Sequence, residues 1–166
     1  MKKNMHVPAK QLLREYLNKE NMFFDGAFGT YYGRLYETDE LPELANGLYP
    51  ERVRGIHEEY LRAGARIIRT NTFAMNTVAM KSTFGKVEEN LRQGYRLAKE
   101  AVEKYVEETE TEEDGPALGR RADGRENLPF VAADIGPIPY DAEGGREAAA
   151  KEYLKICETF LEEGAE

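Results

Sequence analysis

Apolar residues recur along much of the chain at spacings of three and four positions. This pattern covers residues 8–20, 50–64 ("PERVRGIHEEYLRAG"), 87–108 and 146–163, and it predicts an amphipathic helix over each range. Pro50 stands at the first position of the second range, where the missing N–H of proline costs nothing. The chain is therefore expected to contain at least four helices.

Three short apolar runs lie between the predicted helices. They are residues 22–24, the stretch "ARIIRTNTF" centred on Ile67 and Ile68, and "LPFVAADIGP" at 128–137. Short, continuous apolar runs are typical of strands that are covered on both faces. A leading helix followed by three strand–helix units predicts an α/β fold with parallel strands.

The segment at residues 107–127, "EETETEEDGPALGRRADGREN", interrupts this alternation. It is acidic, then basic, and nearly free of apolar residues, so we predict a flexible, solvated loop. Two further readings of the fold stay open. One is a small flavodoxin-like ligand-binding domain without catalysis, although a glycine-rich phosphate loop is lacking. The other is a regulatory piece that pairs with a second polypeptide.

The composition limits the classes of binding partner. With 23 basic and 31 acidic residues, the net charge of −8 argues against nucleic acid and anionic membrane. No apolar run is long enough to span a bilayer, and a single cysteine excludes an internal disulfide framework. We expect a cytoplasmic protein. Cys157, beside Ile156, is expected to be a small core residue on the inner face of the last helix, and Leu161 is expected on the same buried face.

Polar residues follow each of the first two predicted strands. Asp25 and Gly26 end the first run in "FFDGAFGT", and the residues 70–73, "TNTF", end the second. Asp-Gly is ordinary turn chemistry, and hydroxyl or amide groups in a loop often satisfy the backbone. The carboxyl ends of parallel strands are, however, where α/β proteins bind ligands. The residues alone leave both interpretations open.

Five motifs together resemble the homocysteine S-methyltransferase family. They are "DGAFGT", "ELAN" with Pro50 four residues after Asn46, "IHEEYLRAGA", "TNTF" and "DIGP", in the order and spacing of that family. The resemblance runs from about residue 12 to the final residue. It identifies residues 1–166 as a truncated, N-terminal part of the domain, as found in the bacterial proteins that append a methylenetetrahydrofolate reductase.

The resemblance implies a (β/α)8 TIM barrel that binds homocysteine at the carboxyl ends of its strands. It also implies a zinc ion that lowers the pKa of the substrate thiol, so that the thiolate attacks a methyl group and forms methionine. The methyl donor stays open between a folate, a betaine and a sulfonium compound. The family's aspartate at the position of Asp25 lies beside the homocysteine amino group. The substrate-binding residues expected here are Asp25, Gly26, Thr70, Asn71, Thr72 and Phe73.

The resemblance also shows what this sequence lacks. The family's three zinc-binding cysteines have no counterpart, so we assign no metal ligand and no catalytic residue and expect the chain to be inactive alone. His57 lies on a helix away from the strand ends, which indicates packing or capping. Open sheet edges, with the inward side chains Phe23, Ile67 and Val131 facing water, predict self-association.

Overall fold

The computed structural model of the chain describes residues 9–18, 21–110, 129–139 and 145–166. None of the helices in these ranges is long and apolar enough to cross a membrane. In chain order the elements are α1 (Ala9–Leu17), α2 (Phe28–Tyr36), a 3-10 turn (Pro42–Leu44), α3 (Ala45–Leu48), α4 (Pro50–Arg62), β1 (Ile67–Arg69), α5 (Thr77–Met80), α6 (Phe84–Glu110), β2 (Phe130–Ala132) and α7 (Gly145–Glu162).

A short parallel sheet joins β1 to β2, with Ile67 opposite Phe130 and Arg69 opposite Ala132. At the other edge of β1, Phe24 forms an isolated parallel bridge with Ile67. The described strand segments therefore lie in chain order, whereas a flavodoxin-like sheet places its first strand between the second and third. The flavodoxin-like alternative is wrong in this respect, and the α/β fold with parallel strands is confirmed.

The helices cover one face of this sheet and form its core. Leu61 of α4 and Ile68 of β1 pack with Ala98 of α6, and all three are fully buried. A second cluster joins α6 to α7 through Leu91 and Ile156. Because each fully buried aliphatic side chain contributes roughly 1.5 to 3 kcal/mol, these contacts fix the sheet against α4 and α6.

Two helix ends explain how the chain turns back toward the sheet. Gly64 follows α4 with a φ of 98°, and Gly164 follows α7 with a φ of 93°. Glycine adopts this left-handed conformation without the steric cost that a side chain brings. After α7, the Gly164 N–H donates to the Leu161 carbonyl at 3.0 Å and the Ala165 N–H to the Phe160 carbonyl at 3.0 Å. These bonds satisfy carbonyl groups at the end of the helix.

Several details differ from the sequence-based predictions. The first strand is reduced to the bridge at Phe24, and helix α2 was not predicted. Cys157 and Leu161 are exposed, so their placement in the core was wrong. The reason is helical periodicity, because Ile156 and Phe160 lie one turn apart on the buried face and the residue after each is rotated toward solvent.

The prediction for the inner sheet face was only partly right. Phe23 is 70% exposed, as expected, but Ile67 is buried because Phe24 and Phe130 flank it in neighbouring strands. Val131 is half-buried and packs on both core clusters. The predicted loop at 107–127 overlaps α6 over 107–110, and residues 111–127 lie outside the described part of the chain.

Candidate substrate-binding site

A cleft opens where the chain leaves Phe24, β1 and β2 at their carboxyl ends. Ligand sites of parallel α/β folds lie at this end of the strands. Asp25 and the run from Thr70 to Phe73 line the cleft, as the sequence predicted, and Gly26 adjoins it. Other side chains that line it are Phe28, Pro42, Glu43, Arg69 and Asp134.

The Asp25 carboxylate is enclosed within the wall of the cleft, with a side chain that is 0% exposed. Its Oδ1 accepts a hydrogen bond from Arg69 Nε at 2.8 Å, and its Oδ2 accepts one from the Arg69 backbone N–H at 3.0 Å. The Asp25 N–H donates to the Ile67 carbonyl at 2.9 Å. Asp25 therefore joins the end of its own segment to β1, which goes beyond the role of a turn residue.

Arg69 extends this contact into the cleft. Its Nη2 donates to the Gly26 carbonyl at 2.8 Å, and its Nη1 lies 4.0 Å from Asp134 Oδ2. The hydrogen bond to Asp25 raises the pKa of Arg69 above its ordinary value, so the guanidinium is permanently charged. Arg69, at the end of β1, is thus bonded to Asp25 and Gly26 and lies beside Asp134 after β2.

Asp134, in the "DIGP" motif, is the third charged group. Its side chain is 22% exposed. Burial raises the pKa of its carboxyl above the ordinary value, while the Arg69 charge lowers it and the Asp25 charge raises it further. Arg69 therefore lies beside both carboxylates, and its charge offsets part of the effect that burial has on the pKa of Asp134.

The hydroxyls of Thr70 and Thr72 bind the β1 loop to the β2 loop. Their Oγ1 atoms lie 2.6 Å apart. Thr70 Oγ1 accepts from the Asp134 N–H at 2.9 Å, and Thr72 Oγ1 donates to the Asp134 carbonyl at 2.8 Å. Both side chains are buried, so they position Asp134 through its backbone.

Asn71 forms a second buried network, with Asn46 of "ELAN". Asn46 Nδ2 donates to the Asn71 carbonyl at 2.8 Å, and Asn71 Nδ2 donates back to Asn46 Oδ1 at 3.0 Å. Asn71 Nδ2 also reaches the Pro42 carbonyl at 2.7 Å, and Asn46 Nδ2 reaches Asn90 Oδ1 at 2.7 Å. These bonds fix the wall of the cleft to α3 and α6.

Phe73 and two glycines complete the surface. Phe73 is exposed at the cleft, and its carbonyl accepts from the Gly136 N–H at 3.0 Å. A Cβ at Gly136 would stand 2.3 Å from that carbonyl oxygen, so Gly136 shapes the turn. A Cβ at Gly26 would meet the Tyr60 hydroxyl at 2.8 Å. Because Gly26 has no side chain, Tyr60 can therefore lie close to its backbone beside the cleft.

His57 lies outside the cleft and is fully buried on α4. Its ring packs against Phe28 with a centroid distance of 5.1 Å, and burial lowers its pKa to about 4. Neither ring nitrogen has a hydrogen-bond partner among the described residues. Of the two roles predicted for His57, packing or capping, the structure shows packing.

The donor set of the described residues does not fit a zinc ion. Within those ranges, no three side chains of His, Cys, Asp or Glu lie close enough together to hold a metal. Tetrahedral zinc sites take at least three such ligands. No chemical step can be assigned to zinc on these residues.

The residues of the site that were not predicted include Arg69, Asp134, Glu43 and Asn46. All of them lie within or beside the quoted motifs, in "IIRTNTF", "DIGP" and "ELAN". Glu43 Oε1 accepts from the Ala74 N–H at 2.8 Å, so it too holds a wall of the cleft. The sequence signal for these residues was a charged or amide group within or beside each motif. Which of these groups pair depends on contacts between residues that are distant in sequence.

The chain-ordered parallel strands and the polar cleft at their carboxyl ends define an α/β protein of the repeating strand–helix class. A comparison with protein families matches residues 22–165 to the family described as homocysteine S-methyltransferase. The chain belongs to this family.

Solved structures with a similar fold include three crystal structures of the homocysteine methyltransferase MmuM from Escherichia coli. The oxidized form is 22% identical with a TM-score of 0.68, and the alignment covers 92% of this chain and 53% of that one. The metallated form is 20% identical (TM-score 0.65, covering 92% and 54%). The apo form is 23% identical (TM-score 0.66, covering 92% and 50%). The chain therefore spans about half the length of these structures.

Proposed function

We propose that the chain is the homocysteine-binding, N-terminal portion of a (β/α)8 methyltransferase that transfers a methyl group to the homocysteine thiol to form methionine. The observation that carries this proposal is the cleft at the strand ends, because the motifs shared with the family meet there. Asp25, Gly26, Thr70, Asn71, Thr72 and Phe73 form or support its walls.

The residues divide by what they can offer a ligand. Phe73 and the backbone at Gly26 are exposed, so they can touch a small amino acid directly. The side chains of Thr70, Asn71 and Thr72 are engaged in internal bonds, so they hold the cleft in shape. The Asp25 side chain is closed off, so it acts from behind the surface of the cleft by fixing the Arg69 guanidinium and adding negative charge to the site.

Zinc dependence is part of the same proposal, by family membership. Since the described residues do not fit zinc, we propose that these 166 residues bind the amino-acid end of homocysteine but do not transfer the methyl group alone. The methyl donor is left open between a folate, a betaine and a sulfonium compound. We further propose that the protein is cytoplasmic, and its net charge of −8 disfavours nucleic acid and anionic membrane as partners.

Calorimetric titration with L-homocysteine tests this function. The Asp25→Asn variant keeps the side-chain volume but removes the charge, and we expect binding weakened by roughly tenfold or more. Asp39→Asn is the matched control, because Asp39 is exposed and lies outside the cleft. A chain that binds no homocysteine, or Asp25→Asn binding as well as the original, would contradict the proposal.

A further inference from the structure

Two charged side chains of opposite sign remain accessible in the cleft. Arg69 is 38% exposed and Asp134 is 22% exposed, whereas Asp25 beneath them is closed off. The charges that a ligand would meet first are therefore one guanidinium and one carboxylate, side by side.

Both groups also have unused hydrogen-bonding capacity. Arg69 commits Nε to Asp25 and Nη2 to Gly26, but Nη1 donates no hydrogen bond to any residue of the described ranges. The Asp134 carboxylate likewise accepts none there, and its Oδ2 lies 4.0 Å from Arg69 Nη1. This separation exceeds a hydrogen bond, so the two groups face each other without being joined.

We infer that Arg69 and Asp134 form a clamp for the zwitterionic end of the amino-acid substrate. Nη1 of Arg69 donates to the α-carboxylate, and the Asp134 carboxylate accepts from the α-ammonium. This inference rests on the proposed function and assigns the groups that recognise the substrate.

The surrounding contacts explain why such a clamp would be rigid. Asp25 fixes the guanidinium from below through Nε, and the Gly26 carbonyl fixes it through Nη2. Thr70 and Thr72 fix the backbone of Asp134 on both its N–H and its carbonyl. Asp25 is accordingly a positioning residue for Arg69, and pre-positioned charges lose little entropy when a ligand binds.

Three thiol probes separate the two halves of the clamp. They are L-homocysteine, homocysteamine, which lacks the carboxylate, and γ-mercaptobutyrate, which lacks the ammonium. Arg69→Gln should weaken homocysteine and γ-mercaptobutyrate by roughly tenfold and leave homocysteamine unchanged. Asp134→Asn should weaken homocysteine and homocysteamine and leave γ-mercaptobutyrate unchanged. Arg54→Gln, which removes an arginine paired with Glu100 on the helices, is the control for charge.

Calorimetry on the 166-residue chain gives each outcome a meaning. If Arg69→Gln fails to fold, Arg69→Lys keeps the charge beside Asp25 and should retain part of the selectivity for the carboxylate. If either variant weakens the binding of all three probes equally, or of none of them, the clamp is overturned and the proposed function remains intact. Failure of the unsubstituted chain to bind homocysteine overturns both.

Discussion

Two regions of this molecule are equally buried and are held together by different forces. Around Ile68, the sheet packs on α4 and α6 mainly through aliphatic side chains. At the cleft beside the strand ends, Asp25, Asn46 and Asn71 are also buried, but each is fixed by directed hydrogen bonds. Apolar packing tolerates many residue combinations, whereas a buried polar group is costly unless its partner is present. In the polar region, directed hydrogen bonds therefore hold the buried groups in one defined geometry, as a binding site requires.

The largest effect is expected in the apolar region. Replacing Ile68 with alanine leaves a cavity under α6, and we expect the free energy of unfolding to fall by roughly 2 to 5 kcal/mol. Leu154→Ala, at an exposed position on α7, is the control and should change it by less than about 0.5 kcal/mol. Urea denaturation measures both. Equal losses in the two variants would mean that the core does not lie where the structure places it.

Acid should lower the free energy of unfolding through the protonation of His57. Its folded-state pKa of about 4 lies below the ordinary 6.5, so the unfolded chain takes up a proton that the folded chain excludes. The contribution of neutral His57 to the free energy of unfolding is therefore fully present above pH 6.5. It is lost as the pH falls toward 4, by on the order of 3 kcal/mol. Replacing His57 with leucine should flatten this part of the pH profile. An unchanged slope in His57→Leu would show that other groups cause the acid sensitivity.

The polar region should lose stability and binding together. Asn46→Ala removes the two hydrogen bonds between Asn46 and Asn71, and we expect a loss of roughly 1 to 3 kcal/mol in the free energy of unfolding. Homocysteine binding should also weaken, because the loop at Asn71 forms the wall of the cleft. Asn18→Ala, an exposed amide after α1, is the control. A destabilised variant with full binding would separate the network from the site.

The smallest effect concerns association. We propose that the chain forms a dimer or larger species through the sheet edge at the exposed Phe23 and Phe24, which pairs with no further strand among the described residues. Salt should strengthen association because it screens the repulsion between acidic surfaces. Phe23→Ser should shift light-scattering masses toward the monomer, and Leu154→Ser, equally apolar and exposed, should not. A monomer at high concentration and high salt would contradict this.

The sequence predicted what depends on periodicity. The buried faces of α4 and α6 followed from apolar spacing, because a helix repeats its face every three or four residues. Motif resemblance placed Asp25 and the "TNTF" run at one cleft. Neither source could show that Arg69 encloses Asp25, because that contact joins residues distant in sequence. The exposure of Cys157 was missed since one position along a helix turns a side chain from core to solvent.

The central claim is that the carboxyl ends of the strands form the substrate site. Amide NMR shifts of the 15N-labelled chain, followed during titration with L-homocysteine, test it most directly. We predict saturable shifts at Gly26, Phe73 and Asp134, with none at Leu154 or at Phe23 on the open edge. Shifts confined to the open edge, or no saturable shift at the strand ends, would contradict the account.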